Sequence, residues 1–279
     1  MSLIAFLLIL FSATLHAIWN FASKKVAGDI TTMWLGLIIA CTTLTPFILF
    51  LDPAQLYIEN VYPHIIISGI THAVYFFYLS RAYEHGEISV VYPIARGIGV
   101  FGTALLAIFI VGEEISIIGI AGIILIIIGI FALGLKNGHQ KKSILFALLV
   151  GAMIISYSIV DKIAVGLTNP IFYIYAFTTL FALFLTPHIL IKKRNLIKQK
   201  WKENKKFSFI IGIGSIGTYL IILFVFQIAQ VNYVVALRES AVAIGAILGF
   251  IFLKEKITKR KLAGIIAILV GAILIKLAV

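Results

Sequence analysis

The chain has 279 residues, of which 62% are hydrophobic and only 12% charged, with a formal net charge of +12 and a mean hydropathy of +1.12. Soluble domains run at roughly 45–50% apolar and about 25% charged residues, so this chain has too little charge to wet a water-facing surface and belongs in a bilayer. The basic residues fall in short clusters between apolar runs, which excludes a nucleic-acid-binding face, and the single cysteine, Cys41, permits no internal disulfide.

An apolar run of about 20 residues covers a hydrocarbon core of about 30 Å. Ten such runs occur in order, at 2–22, 30–51, 62–81, 88–111, 115–135, 143–161, 170–191, 207–228, 231–253 and 260–278. No Lys or Arg precedes the first run and no small-residue cleavage site follows it, so it reads as a retained span rather than a secretion signal. Segments such as 115–135 are apolar on every face, whereas a barrel strand would alternate in polarity. The expected fold class is therefore an all-α membrane protein with ten transmembrane helices.

The sequence repeats itself. At a shift of 142 residues Arg96 aligns with Arg238, Glu113 with Glu255, Ser116 with Thr258, and Ala121-Gly122 with Ala263-Gly264. At a shift of 138, Trp19-x4-Lys24-x3-Gly28 answers Tyr157-x4-Lys162-x3-Gly166. The halves are 1–137 and 138–279, with five spans each. Because five is odd, the second half must enter from the opposite side, which predicts two inverted five-helix repeats. Of the 23 Lys and Arg residues, all but Arg96, Lys162, Arg238 and Lys276 fall on one face, and a positive-inside reading makes that face cytoplasmic and puts both termini outside. The stretch from Lys192 to Lys206 reads as a solvated basic loop that touches lipid head groups.

Ionisable residues inside spans are costly, so they mark candidate sites. Taken along the chain, these are His16, Trp19 and Asn20 in the first span; His72 and Tyr75 in the third; Tyr92 and Arg96 in the fourth, with Pro93 as a kink or gate; Tyr157 in the sixth; Tyr219 in the eighth; and Arg238 and Glu239 in the ninth. Each arginine lies roughly 10–12 Å along its helix, at 1.5 Å per residue, and both reach the midplane from opposite faces. A guanidinium stays charged and forks onto carboxylate, phosphate or phosphonate, so the pair favours an anionic or zwitterionic solute. Snorkelling or helix tying is the structural alternative. Glu239, His16 and His72 are candidates for proton coupling, with structural pairing to an arginine as the alternative for Glu239. Glu239 is the acidic residue placed well inside a span; Asp161 and the others are read as lying in loops or at helix ends, with Tyr157 and Asp161, and Thr218 and Tyr219, as further polar faces. Gly97-x-Gly99 lies within an apolar span and reads as close helix packing, not a nucleotide loop. No metal or cofactor motif is present.

Leu15-His16-Ala17-Ile18-Trp19-Asn20 with Lys24, then Arg81-Ala82-Tyr83-x-x-Gly86-x-x-Ser89-x-Val91-Tyr92-Pro93-Ile94-Ala95-Arg96-Gly97 and Gly112-Glu113, resemble the EamA branch of the drug/metabolite transporter superfamily along the whole chain. That resemblance implies inverted five-helix repeats around a central cavity lined by the first, third, fourth, sixth, eighth and ninth helices, through which small metabolites pass. It also resembles a subgroup in which some members are associated with phosphonate use. Val235 stands in the second half where Pro93 stands in the first. Well-described relatives keep both termini in the cytosol, opposite to the charge count. The expected function is secondary transport of a small organic metabolite across the plasma membrane by a multi-pass monomer or homodimer, with export favoured. The partners would be solute and membrane lipids, without nucleic acid. A flippase for a lipid-linked sugar or amphiphile and a membrane-embedded transferase are the alternatives.

Overall fold

The computed structural model describes residues 1–26, 29–52, 59–85, 88–134, 141–253 and 258–278. Gly28, Gly86, Glu255 and the expected boundary between the halves at 137/138 lie outside them. The described residues are helical, with no strand among them. In chain order the helices are α1 (Leu3–Lys25), α2 (Ile30–Leu49), α3 (Tyr62–His85), α4 (Ile88–Leu106), α5 (Ile117–Gly134), α6 (Lys141–Ala164), α7 (Pro170–Lys192), α8 (Arg194–Ile228), α9 (Val231–Arg238), α10 (Ser240–Leu253) and α11 (Lys259–Leu277). A helix stands at each of the ten expected spans, the ninth as two helices, and among the described residues six stretches, in α1, α2, α4, α6, α7 and α8, are long and apolar enough to cross a membrane.

Two differences are informative. The basic segment expected as a loop is the first third of α8, because its Lys, Gln and Glu residues are good helix formers and Glu203 bonds to both Gln199 and Lys200 one turn earlier. Hydropathy marks where apolar surface ends, not where the helix ends. The ninth span is broken at Glu239, whose carbonyl accepts from Val242 N.

Helix ends are closed by the expected chemistry. Asp29 caps α2 by accepting from Thr32 N at 3.0 Å, and Asn169 caps α7 by accepting from Ile171 N at 2.8 Å ahead of Pro170. Ser116 and Thr258, aligned in the repeat, each accept a backbone N–H three residues on, from Gly119 and Lys261, both at 3.2 Å. α4 passes through Pro93 without interruption and ends in a π-turn, Ala107–Val111, closed by Gly112 at φ 74°.

Packing partners come in pairs that exchange the first five spans with the last five. α1 packs on α8 as α3 packs on α6, and α2 on α8 as α3 on α7; α5 lies along α11 and α4 meets α9. The α5–α11 contact is reciprocal. A Cβ on Gly122 would stand 2.8 Å from Gly271 O and one on Gly271 would stand 2.6 Å from Gly122 O, while Gly129 and Gly264 face each other in the same way at 2.7 and 2.9 Å. With no hydrophobic drive between helices in lipid, such close backbone approach is what holds them together. Large apolar side chains such as Leu7, Phe109, Ile117, Ile191 and Ile273 point outward, where hydrocarbon takes the place of a core.

Gly122→Val is expected to lower stability by about 1–3 kcal/mol, because the carbonyl it meets cannot yield. Gly217→Ala, in open space, should leave the unfolding temperature unchanged or raise it. Thermal unfolding in detergent compares the two.

Candidate functional site

The inward faces of α1, α3, α4, α6, α8 and α9 bring the intramembrane polar residues together. Arg96 on α4 donates from Nε to Glu239 Oε2 at 2.9 Å and from its Nη2 to Oε1 at 2.6 Å. The planar guanidinium thus meets both carboxylate oxygens, and the two side chains are 5% and 3% exposed. The break between α9 and α10 puts Glu239 at this position. Its carboxylate pairs with the arginine of the other half of the chain, not with its neighbour Arg238.

Arg238 is treated differently. Its guanidinium lies 5.2 Å from the centroid of the Tyr219 ring, as Arg96 lies 5.6 Å from that of Tyr92. It is half-buried and has no hydrogen bond or ion pair among the described residues. One guanidinium is therefore neutralised within the protein, whereas the other meets only an aromatic face.

Around the arginines lies a connected set of rings. His72 stacks on Tyr157 at 4.3 Å and on Phe177 at 4.8 Å; Tyr75 meets Tyr157 edge-on at 6.0 Å, and Tyr157 meets Tyr219 edge-on at 6.1 Å. His16, edge-on to Trp19 at 4.8 Å, lies within electrostatic reach of both arginines, as do Tyr75, Tyr92 and Tyr157. Arg96, Arg238, Glu239, His16, His72, Tyr75, Tyr92, Tyr157 and Tyr219 thus converge. Trp19 packs its Cβ against Gly214 of α8, 2.8 Å from where a Cβ would stand there. Asn20 is half-buried and makes no hydrogen bond among the described residues.

Asp161, read from the sequence as standing at a helix end and sharing a polar face with Tyr157, is in the last turn of α6. It is fully buried and accepts from the Tyr173 hydroxyl at 2.6 Å and from the Tyr219 hydroxyl. Its place one turn after Tyr157 gives the shared face, whereas the two phenols that close over the carboxyl come from α7 and α8 and have no local signal. Glu113 and Lys162 form a second unforeseen arrangement, at the α8–α9 corner. Glu113 accepts from Val231 N at 2.7 Å and Asn232 N at 3.2 Å, capping α9. Lys162 donates to the carbonyls of Phe226 and Ala229 at the end of α8, and lies 3.9 Å from Glu113. An anion at a helix start and a cation at a helix end are the favourable placements for each dipole.

The EamA-like transporter family profile matches residues 3–135 and again 141–277. The chain belongs to the EamA-like transporter family. Among curated relatives of this EamA-like chain, a putative sugar uptake protein of Lactobacillus johnsonii is 27% identical over 211 residues, 69% of this chain and 71% of its own. The quaternary ammonium compound-resistance protein QacC of Staphylococcus aureus is 32% identical over 66 residues, 24% of this chain and 62% of its own. A solved crystal structure superposes with a TM-score of 0.80 at 15% identity, covering 99% of this chain and 98% of that one, which shows the fold alone. The EamA-like chain is a membrane transporter.

Removing one member of the Arg96–Glu239 pair strands the other, so Arg96→Met and Glu239→Leu should each cost about 3–5 kcal/mol, with the double variant recovering most of that loss. Thermal unfolding of the three variants measures the coupling, and additive losses would show that the pair does not act as a unit.

Proposed function

We propose that the protein is a secondary carrier that moves a small organic solute with anionic or zwitterionic character across the plasma membrane. The observation that carries this reading is Arg238, a permanent cation at membrane depth with no anion bound to it among the described residues. A guanidinium without an anion in direct contact is expensive there, and a solute carboxylate, phosphate or phosphonate supplies that contact. Tyr75, Tyr92, Tyr157 and Tyr219 supply ring faces and hydroxyls for the rest of the solute, and His16 and His72 border the same space. The sugar-uptake relative, although named for a solute class without fixed charge, fits this ring-rich lining.

The carrier works by alternating access between inverted halves, 1–137 and 138–279. The paired helix contacts, the reciprocal glycine approach of α5 to α11 and the two separate family matches support that division. Glu239, bound to Arg96 by both oxygens, acts in this reading as a fastening between the halves. Pro93, whose lost backbone hydrogen bond softens α4, is the place where that helix bends as the halves rock. One relative is named for uptake and the other for resistance, so flux in both directions must be measured.

A flippase reading has one observation in its favour, an apolar groove of about 380 Å³ lined by Ile70, Ala73, Val74, Phe77 and Tyr78 of α3 and Phe184 of α7. Lipid scrambling by reconstituted protein, without flux of any soluble anion, would select it.

Arg238→Gln should lower affinity for an anionic solute by about tenfold or more, the equivalent of one charge-assisted hydrogen bond, with Arg238→Lys intermediate. The measurement is a thermal-shift screen of phosphonates, carboxylates, sugars and amino acids, followed by liposome flux of the best binder. A variant that folds and transports at parental affinity would remove Arg238 from the solute site.

A further inference from the structure

The solute reading leaves the Asp161 carboxyl unused. It is fully buried on α6 and gathers donors from three other helices. The Tyr173 hydroxyl of α7 donates to it at 2.6 Å, the Tyr219 hydroxyl of α8 donates to its other oxygen, and the Ser68 hydroxyl of α3 is within hydrogen-bonding reach. Ser68 Oγ is also 3.2 Å from His72 Nδ1. That nitrogen lies 2.9 Å from the Ser68 carbonyl, which can only accept, so Nδ1 donates there, and in the neutral ring Nε2 then keeps its lone pair. A carboxyl and an imidazole therefore share one polar cluster, and neither has a Lys or Arg ion partner among the described residues.

Tyr219 joins this cluster to the solute site. Its hydroxyl binds Asp161, and its ring carries the Arg238 guanidinium. The other titratable groups within electrostatic reach of Asp161 are His72 of α3 and Tyr157 of α6; Tyr157 in turn is within reach of Arg96, Arg238 and Glu239, while the neighbouring Lys162 is turned to Glu113 and the end of α8. Arg96 and Glu239 cancel. Arg238 and Asp161 are then opposite charges on either side of one tyrosine. An arriving monoanion would leave the buried cluster with one surplus negative charge, which a low-dielectric interior resists, and a single proton on Asp161 removes that surplus.

We propose that Asp161, with His72 beside it, is a proton-binding site that loads together with the anion on Arg238, so that one proton accompanies each negative charge across the membrane. The proton comes from water on the entry face, bonds to a carboxyl oxygen and returns to water on the other face. The coupling rests on the solute reading given above, but the proton site is testable without any solute.

The test is infrared difference spectroscopy of the full chain in lipid while the pH is stepped between about 5 and 8. The parent should gain the carbonyl band of a protonated carboxyl on acidification. The band should vanish in Asp161→Asn, persist in Glu239→Gln and Arg238→Gln, and move in frequency in Tyr219→Phe, which removes one donor and keeps the acid. If Asp161→Asn does not fold, Asp161→Glu and Tyr219→Phe decide through that frequency shift. The proposal is overturned by a parent without such a band, by a band that survives in Asp161→Asn, or by one that neither Asp161→Glu nor Tyr219→Phe moves. Because Arg238→Gln is expected to keep the band and lose the anion, failure of the proton site and failure of the solute site give different results.

Discussion

A charge in hydrocarbon must be answered by another charge, by water or by a ligand, and this constraint organises the molecule. Arg96, Arg238, Glu239 and Asp161 lie together within the apolar body, and the protein deals with them unequally. Arg96 and Glu239 meet through a double contact that excludes water and spans the first and last five spans of the sequence. Asp161 is held by two phenols, and Arg238 rests on one of them. The rings of Tyr75, Tyr157, Tyr219 and His72 touch one another beside these groups, presenting apolar faces and polar tips.

The scaffold that holds these groups is built from close backbone approaches rather than from bulky packing. Gly122, Gly129, Gly264 and Gly271 let α5 and α11 touch along their carbonyls, and Gly36 and Gly212 bring α2 against α8 in the same way. α2, α5 and α11 carry none of the converging side chains, and on α8 Gly212 lies two helical turns before Tyr219. The corner at Glu113 and Lys162 fixes the exit of α8 and the start of α9, and so the position from which Arg238 and Glu239 project.

Much of this was legible in the sequence. The ten spans follow from apolar run length, and the arginines follow from the rarity of charge inside such runs. The convergence of His16, His72 and the tyrosines follows from helical spacing, which fixes a face even when its partner is unknown. What escaped was set by tertiary contact. Nothing local marks Glu239 as the place where the ninth span breaks, because the break serves a bond to a residue 143 positions away. Asp161 looked terminal because the sixth apolar run ends beside it, yet α6 continues to Ala164 and its neighbours close over the carboxyl. The basic start of α8 looked like a loop because polarity was taken for irregularity, although lysines and glutamates a turn apart stabilise helix.

The central claim is that the protein neutralises one buried arginine itself and leaves the other for its solute. The most direct measurement is an experimental structure of the parent protein with a bound phosphonate or carboxylate. The account predicts the anion's oxygens about 2.7–2.9 Å from the Arg238 guanidinium nitrogens, with Arg96 still bound to Glu239. An anion seated on Arg96 with Glu239 displaced, or one held elsewhere with both arginines untouched, would contradict it.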